Sequence, residues 1–383
     1  MIFTAVGGAP FFERMVEELR RDGVVVHVEC VLTDEEYRRP VRGPGRWWRR
    51  WLAFGYLPWR CLLYFATHRP RPGTLFLVTT APFYLPAVVG FGARIHQVPV
   101  ICLLHDLYPE ALVLAGVISP DGVPATVLAA LTRGVVRSSD AVVYLGRRLR
   151  DHVQREYGPA RRTAVIPPGA AEEGLHMAPQ KVPTGAPVRF LYSGTLGRMH
   201  DIGTLERYLA MGFPEGAEFR FQASGSGYAE LRRRLGALAA RAGRLNFDGP
   251  LGDREWREAM TQAEVAIVTM KPGAECVIFP SKCLSALMAG QALLAICPVE
   301  SDLADIVRDY DCGWVVPPGD VDALHAAVTA AVTDRSGLQG RRRRGLDAAQ
   351  AFFGSRRVAA QLGQEAAAVL AAWPKGGSTT REI

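Results

Sequence analysis

Short apolar runs of strand character return along nearly the whole chain, each parted from the next by a stretch of helical periodicity, and this alternation leaves few folds open. At the start, Phe12, Met15, Val16 and Leu19 repeat at helical spacing, Gly23 closes that helix, and residues 24–28 read as a buried strand, a βαβ opening over 1–30. Strand candidates follow at 74–80, 98–104, 141–145 and 163–166. Between 167 and 187, prolines and glycines replace the periodic pattern, and a linker is placed at 171–187. A second series then runs through 188–192, 219–223, 245–247, 265–269, 292–296 and 313–316. The chain has 383 residues, more than the roughly 250–300 that one hydrophobic core serves. The reading is α/β, with two Rossmann-like doubly wound domains, 1–170 and 188–352, facing across a cleft. A helix over 353–374, N-capped by Ser355, turns back toward the first domain, and 375–383 form a flexible tail.

Apolar residues make up 49% and charged residues 22% of the chain, a balance that excludes disordered and fibrous classes. The formal charge of +7 calls for an anionic partner, and its placement is informative. No Asp or Glu lies between Glu36 and Asp106, whereas Arg38, Arg39, Arg42, Arg46, Arg49, Arg50, Arg60, Arg69, Arg71 and Arg94 all do. Within that gap, 37–67 interleave arginine with Trp47, Trp48, Trp51, Phe54, Tyr56 and Trp59. Aromatic rings at headgroup depth and basic side chains over anionic lipid suit a bilayer interface, so Trp47, Trp48, Arg49, Arg50, Trp51 and Trp59 are assigned to peripheral membrane contact. Pro58 and Arg60 argue against a spanning helix, and 75–92 read as a strand plus a buried helix. The seven cysteines form no C-x-x-C pair, so neither a disulfide framework nor a zinc site is indicated. The opening residues lack a secretory pattern, and a cytoplasmic protein on the inner face of the membrane is expected.

Three segments bring polar chemistry to strand ends. Leu191 to Asp201 runs from a strand into a turn where Gly194 and Gly197 let backbone approach a ligand and Arg198 offers phosphate a bidentate fork. Phe279 to Gly290 reads as a helix opened by Pro280 and Ser281, with Lys282 in its first turn opposing the helix dipole, a misfit that an anionic ligand relieves. His105 and Asp106 stand at the carboxyl end of an apolar strand, the edge that lines the crevice in open α/β sheets. Gly7 and Gly8 follow the first strand in the same way. Asp320 and Asp322 read as a helix cap rather than a metal motif, Gly225 and Gly227 lack the third glycine of a dinucleotide fingerprint, and Arg341 to Arg344 read as a solvated helix face.

In this order and spacing the chain resembles the retaining GT-B glycosyltransferases of family 4, in the bacterial branch with a Pro-Ser-Lys motif. The resemblance rests on Gly7-Gly8, His105 through Glu110, Ile166 through Gly169, Tyr192 through Arg198, Phe247 through Gly249, Pro280 through Lys282 and Gly313 through Gly319. It implies a sugar moved from a nucleotide diphosphate donor, a UDP-sugar, to a lipid-linked acceptor, without metal or other cofactor and without nucleic acid as a partner. His105 and Asp106 take the catalytic positions, and Gly7, Gly8, Gly194, Arg198, Glu275, Ser281, Lys282 and Ser285 the donor-binding ones. Two departures stand out. The family's paired glutamates fall on Val277 and Ser285, which leaves Glu275 as the nearby carboxylate, and no lysine lies between Met199 and Glu206, which leaves Lys282 or Lys271 to replace it. The missing glutamates keep open a nucleotide-sugar epimerase or hydrolase on the same scaffold, and a third reading is a catalytically silent membrane-bound partner of another transferase.

Overall fold

The computed structural model describes all residues except 5–9, 31–47, 49–50, 171–174, 176–178, 180–181, 184 and 375–383. Gly7, Gly8, Trp47, Arg49 and Arg50 therefore lie outside the described residues. Two separate parallel sheets of six strands carry the fold. The first contains β1 (Ile2–Phe3), β2 (Val28–Glu29), β3 (Phe76–Thr79), β4 (Val100–Leu104), β5 (Ala141–Tyr144) and β6 (Thr163–Val165), in the order β2-β1-β3-β4-β5-β6. The second contains β7 (Val188–Thr195), β8 (Ala217–Ser224), β9 (Leu245–Asp248), β10 (Val265–Thr269), β11 (Ala292–Ile296) and β12 (Gly313–Val316), in the order β12-β11-β10-β7-β8-β9. Strand order reverses between β1 and β3 and again between β7 and β10, the two places where such sheets open a crevice at their carboxyl edge.

Helices cover both faces of the first sheet. On one face, α1 (Pro10–Arg21) packs through Met15, Val16 and Leu19. On the other lie α2 (Leu57–Thr67), α3 (Leu85–His96), the short α4 (Glu110–Leu114), α5 (Val123–Ser138) and α6 (Arg147–Tyr157), whose buried residues join Phe76, Val78, Cys102 and Val142 in one core. A π-helical turn, Leu52–Tyr56, leads into α2, and Pro58 sits in that helix's first turn, where its missing N–H costs nothing. Gly92 lets α2 and α3 touch: a Cβ there would stand 2.2 Å from the Phe65 ring.

The second sheet is covered by α7 (Gly203–Met211), α8 (Ser226–Ala242), α9 (Asp253–Gln262), α10 (Lys282–Met288), α11 (Asp302–Asp309), α12 (Val321–Thr333) and α13 (Arg335–Phe352). The last helix, α14 (Ser355–Ala372), buries Val358, Ala359, Leu362 and Val369 against α1 in the first half, and Glu365 pairs with Arg162 at 2.6 Å. Asp302 also bridges the halves. Its carboxylate accepts the Arg147 and Arg148 backbone N–H groups at 2.8 and 3.1 Å and so caps α6 from the other domain.

Four local expectations are corrected. The run at 24–28 is not a buried strand: Val24 and Val25 are exposed, and pairing with β1 begins at Val28. The N-cap of α14 is Gly354, with Ser355 inside the helix and buried. Residues 85–96 are only partly sunk, for Phe91 and Ile95 are 59% and 61% exposed. Finally, Arg342 is 2% exposed and donates to the Gly290 carbonyl at 2.8 Å, so the arginine run is not wholly solvated. The Asp320 side chain accepts the Ala323 N–H at 2.8 Å, an N-cap of α12.

Candidate active site

On the first-domain side, the Thr80 hydroxyl just past β3 accepts the backbone N–H groups of His105 and Asp106 at 3.1 and 3.2 Å. The turn after β4 is thereby tied to the neighbouring strand, and both side chains leave the carboxyl edge half-buried. Burial lowers the His105 pKa to about 4, so its imidazole is neutral near pH 7, and burial raises that of Asp106. Beyond them α4 begins at Glu110 and ends against the second domain.

There two cations reach across. Arg198, exposed in the loop after β7, donates from Nη1 to the Ala115 carbonyl at 2.8 Å, and Lys271, in the loop after β10, donates from Nζ to the Leu114 carbonyl at 2.5 Å. Successive carbonyls at the end of α4 thus hold two positive charges side by side. Burial, and then the charge of Arg198, lower the pKa of Lys271. Backbone pairing keeps the loops together, since the Lys271 N–H donates to the Met199 carbonyl at 3.1 Å.

A third cation stands deeper. Lys282 opens α10, where its charge opposes the helix dipole, and Ser281 before it is exposed and makes no side-chain cap. The Lys282 amine turns instead to the Tyr192 hydroxyl at 2.7 Å, the Thr195 carbonyl at 3.0 Å and His200 Nε2 at 3.1 Å, 4.5 Å from the centre of the Tyr192 ring. Burial lowers its pKa to about 7, and burial together with this lysine lowers that of His200 to about 3. A neutral imidazole carries one ring proton. If Gly197 N–H donates to His200 Nδ1, at 3.1 Å, the proton is on Nε2 and the lysine must accept it as free amine; with ammonium, Nδ1–H faces the Gly197 carbonyl at 3.3 Å. Sequence reasoning missed His200 and Tyr192 as the supports of this lysine, although both lie in the segment that carries Arg198.

Beside Lys282 a pocket of about 190 Å³ opens at the strand-order reversal between β7 and β10. Ser193, Gly194, Trp256, Met260, Lys282 and Ser285 are among its walls. Gly194 has φ +108°, backbone that a side chain would strain, and the Trp256 indole donates to the Ser193 hydroxyl at 3.0 Å. The structure thus brings Gly194, Lys282 and Ser285 together. Glu275 is not among the residues lining this pocket; it sits in the 3-10 turn Ala274–Cys276 after Lys271, with Oε2 buried and unbonded among the described residues. Val277 is buried in the first-half core cluster that also holds Leu107. Among the described residues no group of His, Cys, Asp or Glu is placed to hold a metal ion.

Two Rossmann-like halves joined by a crevice that gathers cations define the GT-B architecture. Comparison places the chain more closely: the Glycosyl transferase 4-like domain matches residues 6–169 and the Glycosyl transferases group 1 domain matches residues 192–334. Together these two matches support a group 1 glycosyltransferase of the GT-B fold. A probable glycosyltransferase, WbjE of Pseudomonas aeruginosa, is 26% identical over 265 residues, which are 67% of this chain and 66% of that relative's length. Among solved structures, sucrose-phosphate synthase from Thermosynechococcus elongatus superposes with a TM-score of 0.71 at 18% identity, covering 97% of this chain and 99% of that one. HepE of Anabaena, in complex with UDP and glucose, gives 0.69 at 14% identity, covering 96% and 99%.

Proposed function

We propose that the protein moves a sugar, with retention, from a uridine diphosphate donor to a lipid-linked acceptor at the cytoplasmic face of a membrane, in the assembly of a cell-surface polysaccharide or glycolipid. The observation that carries this reading is the gathering of Arg198, Lys271 and Lys282 at the carboxyl edge of the second sheet, with Arg198 and Lys271 reaching the helix that follows His105. HepE, a solved structure of the same fold, is described in complex with UDP and with UDP-glucose. In this reading the donor diphosphate replaces the carbonyls of Leu114 and Ala115 as partner of the two outer cations, because an anionic oxygen is the stronger acceptor. Gly194 and Ser281 admit the phosphates closely, Ser285 meets the nucleoside in the pocket beside Lys282, and Glu275 supplies the nearest carboxylate.

Cleavage of the glycosidic bond puts negative charge on the departing phosphate oxygen, and fixed cations stabilise it most where water is excluded. Neutral His105, held by Thr80, meets the reacting sugar, while Asp106 stays beside it with a raised affinity for its proton. The departing oxygen then takes the acceptor's proton on the same face, and no metal enters. Trp48, Trp51 and Trp59, all exposed, rest in the headgroup layer; no described helix is long and apolar enough to cross a membrane.

Donor binding tests the reading through the pH response of Lys282. Its pKa is lowered to about 7, so the ammonium that attracts a diphosphate is present below that pH and lost above it. The dissociation constant of UDP-glucose, whose diphosphate ester does not titrate here, is expected to rise by up to about tenfold per pH unit above pH 7 in titration calorimetry. Lys282→Met binds more weakly and flattens the rise. A flat wild-type profile, or the same slope in the variant, contradicts the assignment.

A further inference from the structure

The three helices α2, α3 and α5 lie side by side on one face of the first sheet, α3 between the other two. Their inward residues make the core, but their outward residues are unlike an ordinary solvated surface. Trp59, Leu62 and Leu63 on α2, Phe91 and Ile95 on α3, and Val123 and Val127 on α5 are all exposed. None of the three helices contains a single Asp or Glu, whereas Arg60, Arg94, Arg133 and Arg137 lie on them. Arg94, Arg69 and Arg71 form no ion pair among the described residues, and all three are exposed. The opposite face of the sheet shows the contrast: α1 carries Glu13, Glu17 and Glu18, and α14 carries Glu365. A soluble surface interleaves both signs of charge and scatters its apolar side chains. Here exposed apolar side chains stand on three neighbouring helices that carry only basic charge, with Arg60 paired to Glu29 of β2 at 2.8 Å.

We propose that the outer face of the whole α2–α3–α5 layer is a docking surface for an anionic bilayer, with Phe91 and Ile95 of α3 inserted beside the tryptophans. The proposal rests on the membrane reading above and widens it from one aromatic segment to a three-helix slab. Charge complementarity commits the occupant: an all-basic, apolar face matches headgroups that carry net negative charge over acyl chains. The placement also orients the molecule. Each of these helices follows a parallel strand or returns to one, so the amino ends of α3 and α5 stand at the carboxyl edge, beside the site. Aromatic contacts lead from the slab to that edge: Phe54 lies 6.3 Å from Tyr84, Tyr84 5.0 Å from Phe83, and Phe83 5.5 Å from Tyr108, two residues past Asp106. A lipid-linked acceptor therefore reaches the turn of His105 from the bilayer along a row of rings, exposed at Phe54 and half-buried at Tyr84, Phe83 and Tyr108.

Flotation of the full-length protein with vesicles of phosphatidylglycerol and phosphatidylcholine, against phosphatidylcholine alone, tests the proposal. Wild type is expected to float with the anionic vesicles, less so at high salt. The double variant Phe91→Ser, Ile95→Ser is expected to lower the partition coefficient by about tenfold or more, since two large apolar side chains lose their burial, and Arg94→Glu lowers it further. Unchanged thermal melting and UDP binding show that the variants are folded. If the double variant floats like wild type while Trp51→Ser with Trp59→Ser does not, the slab is wrong and the narrower aromatic segment stands. Failure of wild type to float overturns both, and a shift of the double variant from dimer to monomer with unchanged flotation assigns the face to a second copy of the chain instead.

Discussion

Arg198→Ala is expected to lower kcat/KM for the sugar nucleotide by roughly 10²–10³-fold, the loss that follows removal of one fixed donor from developing negative charge. The side chain is exposed and its one described partner is the Ala115 carbonyl, so its removal leaves the core intact. Thermal stability should change little. The loss should appear in UDP binding as well as in turnover, because in the proposed mechanism the guanidinium meets the diphosphate both before and after cleavage. Arg198→Lys recovers only part, since the ammonium keeps the charge and loses the planar fork. Steady-state kinetics with calorimetric UDP binding check this; wild-type values in the alanine variant would remove Arg198 from the donor site.

His105→Ala is expected to act differently, lowering kcat by roughly 10²–10³-fold while UDP binding stays within about twofold. The imidazole belongs to the first domain, and in the proposed mechanism it meets the sugar rather than the diphosphate. Its pKa, lowered by burial to about 4, makes it neutral throughout the neutral range, so the part of the pH–rate profile that depends on it should hold above that pH and fall as pH drops through it. A variant that loses UDP binding as severely as turnover would place this histidine at the nucleotide instead.

The strands of the second sheet were the most legible part of the fold. Observed β10 and β11 coincide with the apolar runs read at 265–269 and 292–296, because strands buried on both faces leave little but apolar residues to see, and β12, half-buried at the sheet edge, still coincides with the run at 313–316. The run at 24–28 has the same composition and is mostly not a strand, for a five-residue pattern does not say whether a neighbour covers it. Arg342 shows another limit. Four successive residues on a helix turn through nearly a full circle, so one of four consecutive arginines faces inward on any helix packed on one side. The site divides similarly. The misfit of a lysine at a helix start pointed to Lys282, but its supports, Tyr192 and His200, lie 90 and 82 residues away, and only folding brings them within hydrogen-bond distance. The joining of Arg198 and Lys271 on adjacent carbonyls of α4 is likewise a contact between halves that no local pattern records.

The central claim is that a nucleotide sugar is split in this cleft and its sugar passed to a membrane-borne acceptor. The direct measurement follows labelled sugar from a UDP-sugar panel in the presence and absence of membrane lipid extract, with the anomeric configuration of the product read by NMR. The account predicts label in the organic-soluble fraction only when lipid is present, UDP released in equal amount, and the donor's anomeric configuration retained. Free or epimerised sugar formed at the same rate without lipid would contradict it.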